Sequence, residues 1–304
     1  MSWEVRTMRS GTSFFNSTLY RKTMLRFWPL WVAYGLMWLF LLPFNLLNNY
    51  FSMRGASVSS VELANRLVEY ARDIPDTLQF GVFVAAVTLT ALFGLLCAMA
   101  VFGYLYNNRS ACMMHALPLR RETLFGTQYL AGLSFALLPN LVVAGITLAV
   151  ELPLVAQKCW GTSLASLGIW LLVQSGVCLF FFSFASFCAM FTGHLAALPV
   201  FYGVLNLLAF LMTSLVEAVC DLFLYGFRSF PSPVWELVDH LSPPVILSNA
   251  VSIVSRDDAF VLYQPGLVAV YAAAGVALSI AALLIYRSRH IESAGDVVAV
   301  KLVR

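Results

Sequence analysis

Charge is what this chain has least of. Only 11% of its 304 residues are Asp, Glu, Lys or Arg, about half the share of a soluble globular domain. Catalytic patterns are missing as well. No GxxxxGK[ST] is present, so ATP phosphates are not cradled by that route, and HExxH and GxSxG are absent too. No apolar run holds paired glutamates with a basic partner. The six cysteines include no CxxC and no metal-ligand spacing with histidine. The four histidines, His115, His194, His240 and His290, fall at or beyond the edges of apolar runs and far apart in sequence. A proton relay needs ionisable groups within the spans, which argues against such a role for them. Neither an enzyme nor a cofactor, metal or nucleic-acid site is expected.

What is abundant is apolar: 61% of the chain, against ~45–50% in soluble domains. The reading is an all-α integral membrane protein. Six apolar runs, at about 29–47, 79–105, 125–150, 164–191, 195–216 and 265–286, each approach the ~20 residues that cross a bilayer. Pro43, Pro139 and Pro199 lie inside three of them, where neighbouring helices satisfy the freed carbonyls. No cleavable signal peptide is read, because the first run starts near Pro29 behind a basic segment and without a small-residue cleavage pattern. The layout is an N-terminal segment 1–28, a six-span domain 29–286 and a tail 287–304.

Charge distribution orients the spans. With both termini in the cytoplasm, the inner side carries 12 Lys/Arg and four acids, and the outer side six Lys/Arg and 11 acids. The 12-to-6 cation bias is the positive-inside pattern. Residues 1–28 are basic, and Arg26, Trp28 and Trp31 suit an interfacial anchor. A surface-lying helix over Ser13–Trp28 is compatible with the composition, although its apolar residues do not gather on one face.

The outer segments also carry patterns. Ser57–Ile74 reads as an amphipathic helix with a Ser59/Glu62 capping box. Between the last two spans, Ser232-Pro233 and Ser242-Pro243 read as starts of short capped helices. The apolar run Val245–Val254 is too short to cross a membrane; it suits a segment that dips into the outer leaflet or covers a pathway mouth. Gly94, Gly126, Gly132 and Gly145 read as helix-packing positions. Cys97, Cys178 and Cys188 read as small hydrophobes. Cys159 and Cys220 both fall outside, which leaves a disulfide between them open. Glu151, the acid nearest a span interior, reads as an interface marker in preference to a relay.

One stretch organises the rest: Tyr106–Phe125, a polar island between two apolar runs. Its charged residues are Arg109, Arg120, Arg121 and Glu122, a net +2. Met113, Met114, Ala116 and Leu117 place apolar side chains where a solvated loop needs none. Pro118 breaks any helix and holds Leu117 extended. The pattern suits a docking knob, with Met113, Met114 and Leu117 for affinity and the charges as a rim. A linker whose methionines rest on the bilayer is the other reading.

These residues resemble a family. Ser13-Phe14-Phe15-Asn16, the run Arg26-Phe27-Trp28-Pro29-Leu30-Trp31, and Asn108-Arg109-Ser110 with His115-Ala116-Leu117-Pro118-Leu119-Arg120-Arg121-Glu122 are similar to type-2 ATP-binding-cassette (ABC) exporter permeases, especially large ones of Gram-positive bacteria. Tyr286-Arg287-Ser288-Arg289 and Glu292-Ser293-Ala294-Gly295-Asp296 resemble the end of their membrane domain. The resemblance implies a bacterial plasma-membrane subunit that pairs with a second permease subunit and with separate ABC ATPase subunits. It implies that the island holds the coupling helix, with Arg109, Met113, Met114, His115, Leu117, Pro118, Arg120, Arg121 and Glu122 binding the ATPase. It also implies an interfacial elbow near Ser13–Trp28 and a re-entrant segment before the last span. Related chains continue past Asp296, so Val297–Arg304 is expected to begin something longer. A membrane-anchored scaffold or sensor is the alternative function.

Overall fold

The computed structural model describes residues 15–54, 83–154, 160–251, 253–256, 259–262 and 264–288. The expected helix over Ser57–Ile74, Cys159 and the tail from residue 289 lie outside the described residues. Among the described residues, six helices are long and apolar enough to cross a membrane. Apart from one short hairpin, the regular structure among the described residues is helical.

Helix α1, Ser17–Arg26, is capped by Asn16, whose Oδ1 accepts from the Leu19 N–H at 3.0 Å. It turns at Phe27 into the first span. That span is α2, Trp28–Leu39, a π-helical turn Phe40–Phe44 around Pro43, and α3, Asn45–Arg54. A proline lacks the N–H that continues an α-helix, and a π turn is one way to absorb the break. The second span, α4 (Phe83–Phe102), tightens into a 3₁₀ turn at Gly103–Tyr106. Then come the short α5, Asn108–His115, and the long α6, Arg121–Leu154. Helix α7 covers Trp160–Phe191 and α8 Ala197–Phe223. The expected interior Pro199 falls in the first turn of α8, where its missing N–H costs no helical bond.

Beyond α8, two short helices begin at the foreseen Ser-Pro pairs: α9, Ser232–Leu241, and α10, Pro243–Ala250. The expected side-chain caps are not formed. At α10 the Ser242 carbonyl accepts from Val245 and Ile246, and its buried hydroxyl has no hydrogen-bond partner among the described residues. Val245–Val254 is not one continuous segment. The helix stops at Ala250, and Ile253–Arg256 (β1) pairs antiparallel with Ala259–Leu262 (β2), Ile253 facing Leu262. The last span, α11, is Pro265–Ser288.

Helix α7 is the axis of the bundle, packed against α4, α6 and α11. Close approach depends on glycine. A Cβ on Gly94 of α4 would lie 3.0 Å from the Phe181 carbonyl carbon, and one on Gly275 of α11 would lie 2.9 Å from Phe180 Cα. Gly132 of α6 faces the Phe182 ring, into which its Cβ would drive at 2.4 Å. Small residues let backbones meet where lipid supplies no hydrophobic drive. Gly94 and Gly132 therefore act as expected. Gly145 does not, because no atom lies within 4 Å of its Cβ position.

Polar bonds knit the interior. The Gln174 amide donates to Tyr34 Oη at 3.0 Å and to Thr90 Oγ1 at 2.8 Å, joining α7 to α2 and α4. Glu151 is only 2% exposed. Neither of its carboxylate oxygens has a hydrogen-bond partner among the described residues. Cys97, Cys112, Cys178, Cys188 and Cys220 are free thiols.

Candidate functional site

The island folds at one end of the bundle, where α1, the start of α6, the turn after α7 and the end of α11 converge. Asn107 ends the 3₁₀ turn in extended geometry and caps α5, its Oδ1 accepting from the Arg109 N–H at 3.0 Å. The helix closes with the Ala116 N–H donating to the Cys112 carbonyl at 2.9 Å. Pro118 stops it as expected. The Leu119 N–H returns to the Leu117 carbonyl at 2.7 Å, a three-residue turn with the proline at its centre.

The structure splits the expected docking residues into two sets. Arg109, Met113, Leu117, Pro118 and Arg120 face outward, Met113 at 69% exposure and Leu117 at 41%. The other set is tied to the bundle. His115 stacks on Tyr286 with ring centroids 6.0 Å apart and meets Tyr104 edge-on at 6.4 Å. Glu122 forms an ion pair with the Arg287 guanidinium at 2.8 Å, and the Arg121 guanidinium donates to the Arg287 carbonyl at 3.2 Å. Met114 is half-buried. The end of the last span thus clamps the base of the island. The Tyr106 hydroxyl holds the other flank, within 3.3 Å of the Ala189 carbonyl and 3.1 Å of Thr192 Oγ1.

Helix α1 lies against α6 through hydrogen bonds. The Asn16 N–H donates to Thr127 Oγ1 at 3.0 Å, the Tyr20 hydroxyl to Ser134 Oγ at 3.0 Å, and the Thr23 hydroxyl to Gln128 Oε1 at 3.2 Å. Asn16 makes its contact through the backbone, while the side chains of Tyr20 and Thr23, three apart, put a polar face of α1 on α6. A search for an apolar face misses it; the spacing of hydrogen-bonding residues would have found it.

A cavity of about 630 Å³ opens between α1, the 3₁₀ turn, α5, the start of α6 and the turn after α7. Lys22, Arg26, His194, Met113 and Met114 are among its lining residues. At the other end of the second span, α4, α8 and α10 enclose about 500 Å³ of mainly apolar space. Within it the Tyr202 hydroxyl donates to the Ala91 carbonyl at 3.0 Å. Asn206, 2% exposed, donates to the Tyr202 carbonyl at 2.8 Å, and its Oδ1 has no hydrogen-bond partner among the described residues. Sequence reading missed both residues; the available signal was an isolated amide in an apolar run. No group of metal-binding side chains occurs among the described residues.

The chain matches no protein-family model and no curated protein.

Proposed function

We propose that the chain is the membrane-spanning subunit of an ABC exporter, docking a separate ATPase through α5 and the turn after it. The observation that carries this reading is the two-sided build of the island. Its outward side offers Met113 and Leu117 beside Arg109 and Arg120. Its inward side is bound to α11 through His115 and Glu122 and to α7 through Tyr106. A push on the outer side is transmitted to the spans, which is what a coupling element requires and a loose linker lacks. With this end in the cytoplasm, the charge bias of the sequence is obeyed. A second permease subunit completes the pathway in the plasma membrane. The apolar cavity beside Tyr202 and Asn206 suits an amphipathic passenger better than a small ion, and α10 sits over it as a gate.

The test is isolation of the tagged full chain from its native membrane with identification of stoichiometric partners. A P-loop ATPase is expected. Met113→Ala with Leu117→Ala should release it at physiological salt, more than Arg109→Ala with Arg120→Ala does. Truncating an apolar anchor in a partner's groove costs ~2 kcal/mol or more, whereas an exposed ion pair contributes about 0.2–1 kcal/mol. Stoichiometric recovery of a non-ATPase partner in its place would favour the scaffold or sensor reading.

A further inference from the structure

The cavity behind α5 has a chemistry that ATPase docking does not use. Two of its lining residues, Lys22 and Arg26, lie four apart on α1, so both heads reach the same side of that helix. Among the described residues no acidic side chain lines the cavity and neither cation forms an ion pair. Across the space, His194 Nδ1 accepts the Ala196 N–H at 3.2 Å. That bond fixes the tautomer and leaves Nε2–H as a donor. Beside these three donors the wall has an apolar stretch, with Leu19, Met99 and Leu195, and a polar one, with Asn107, Ser110 and Gln128. Leu25 and Trp28, exposed on α1 and at the start of α2, put this end at the boundary where a span begins.

Positive heads with polar donors on one stretch of wall and apolar side chains on another, without an internal counter-charge, suit an anion that carries an apolar tail. We propose that the cavity binds a phosphate group among Lys22, Arg26 and His194, supplied by an anionic phospholipid whose first methylenes lie along the apolar wall. The volume, about 630 Å³, falls within the ~300–1,000 Å³ of small-molecule sites. Basic pockets between spans are known to take acidic headgroups. Because α1, α5 and the turn after α7 all contribute walls, a lipid here joins the elbow to the docking helix. Met113 lines the cavity as well as lying on the exposed side of α5, so the two surfaces share that side chain, but the lipid measurement below is made on the chain alone and needs no ATPase.

Native mass spectrometry of the purified full chain, exchanged into mixed phosphatidylglycerol and phosphatidylcholine, measures the preference directly. The wild type should retain phosphatidylglycerol over phosphatidylcholine, and Lys22→Gln with Arg26→Gln should lower that ratio about tenfold. Lys22→Arg with Arg26→Lys keeps the charge and should keep the ratio, which separates loss of binding from loss of fold. Arg21→Gln with Arg120→Gln removes the same charge from exposed residues outside the cavity and should leave the ratio unchanged. Millimolar inorganic phosphate should not displace the lipid. Equal retention of the two lipids, an equal loss in the Arg21/Arg120 variant, or full displacement by inorganic phosphate would each overturn the assignment, the last in favour of a soluble anion.

Discussion

Helices α7 and α8 follow one another across a short turn, and both are long apolar segments, yet they hold opposite stations. In α7, 44% of its most apolar window is buried by other helices; in α8 the figure is 6%. The buried residues of α8 are Leu198, Tyr202 and Asn206. Those of α7 include Cys178, Phe181, Ser183, Ala185, Cys188 and Ala189, a mixture of small residues and aromatics. Apolarity therefore reports that a segment belongs in a membrane and says nothing of what covers it. Coverage follows from small residues on the neighbours. Gly94, Gly132 and Gly275, from three helices, converge on Leu179–Phe182, whereas Gly203 of α8 meets no atom within 4 Å.

The largest effect should come from filling that convergence. Gly275→Leu would place side-chain atoms where the Phe180 backbone now runs, since even a Cβ would sit 2.9 Å from its Cα. Overpacking costs typically 1–3 kcal/mol, and backbone cannot give way as a flexible side chain does, so about 3 kcal/mol is expected. Gly203→Leu and Gly145→Leu should change stability by less than ~0.5 kcal/mol. Thermal inactivation followed by size-exclusion chromatography measures all three. Equal losses would mean that α8 is as tightly covered as α7.

The interior polar groups give the next contrast. Gln174→Leu removes the two bonds that cross to the Tyr34 hydroxyl and Thr90, both buried, and leaves Tyr34 only its 3.4 Å contact with Cys178 Sγ among the described residues. In membrane interiors such bonds average about 0.6 kcal/mol with a maximum near 1.7, and two are lost, so about 1–2 kcal/mol is expected. Asn206→Leu should cost almost nothing, because among the described residues its amide bonds only to its own helix and its Oδ1 has no partner. If the apolar cavity is on the transport route, Asn206→Leu instead changes export rates at unchanged stability. A stability loss matching that of Gln174→Leu would place α8 in the load-bearing core.

How much of this was legible follows from what each pattern measures. The six spans were, because length and apolarity fix them: the run 265–286 corresponds to Pro265–Ser288, and 164–191 lies within Trp160–Phe191. The Ser-Pro pairs also marked α9 and α10, and Pro118 marked the end of α5. Gly275 was not singled out, since a glycine among alanines carries no sign of the backbone it will meet. The placement of the island's side chains was half legible. Met113 and Leu117 face outward, but His115 and Glu122 belong to the bundle because Tyr286 and Arg287, far along the chain, come back to meet them. Composition at one position cannot announce a partner at such separation.

The smallest expected effect concerns that return. Helix α11 is bound to α7 along its length, and at its end Arg287 reaches Glu122 at 2.8 Å. Both side chains keep substantial contact with solvent, 47% and 33% exposed. Water screens such a pair, and holding two flexible side chains together costs entropy. A double-mutant cycle with Glu122→Gln and Arg287→Gln should give a coupling of about 0.2–1 kcal/mol at low salt. Raising salt to 1 M shortens the screening length to roughly 3 Å and should erase most of it. The His115 ring stacked on Tyr286 does not depend on ionic strength in this way, so His115→Ala should cost the same at both salts. A Glu122–Arg287 coupling that persists at 1 M salt would show that the clamp is sheltered from solvent. The end of α11 would then be as firmly held as its middle, and the contrast between the glycine-packed core and its periphery would narrow at this end.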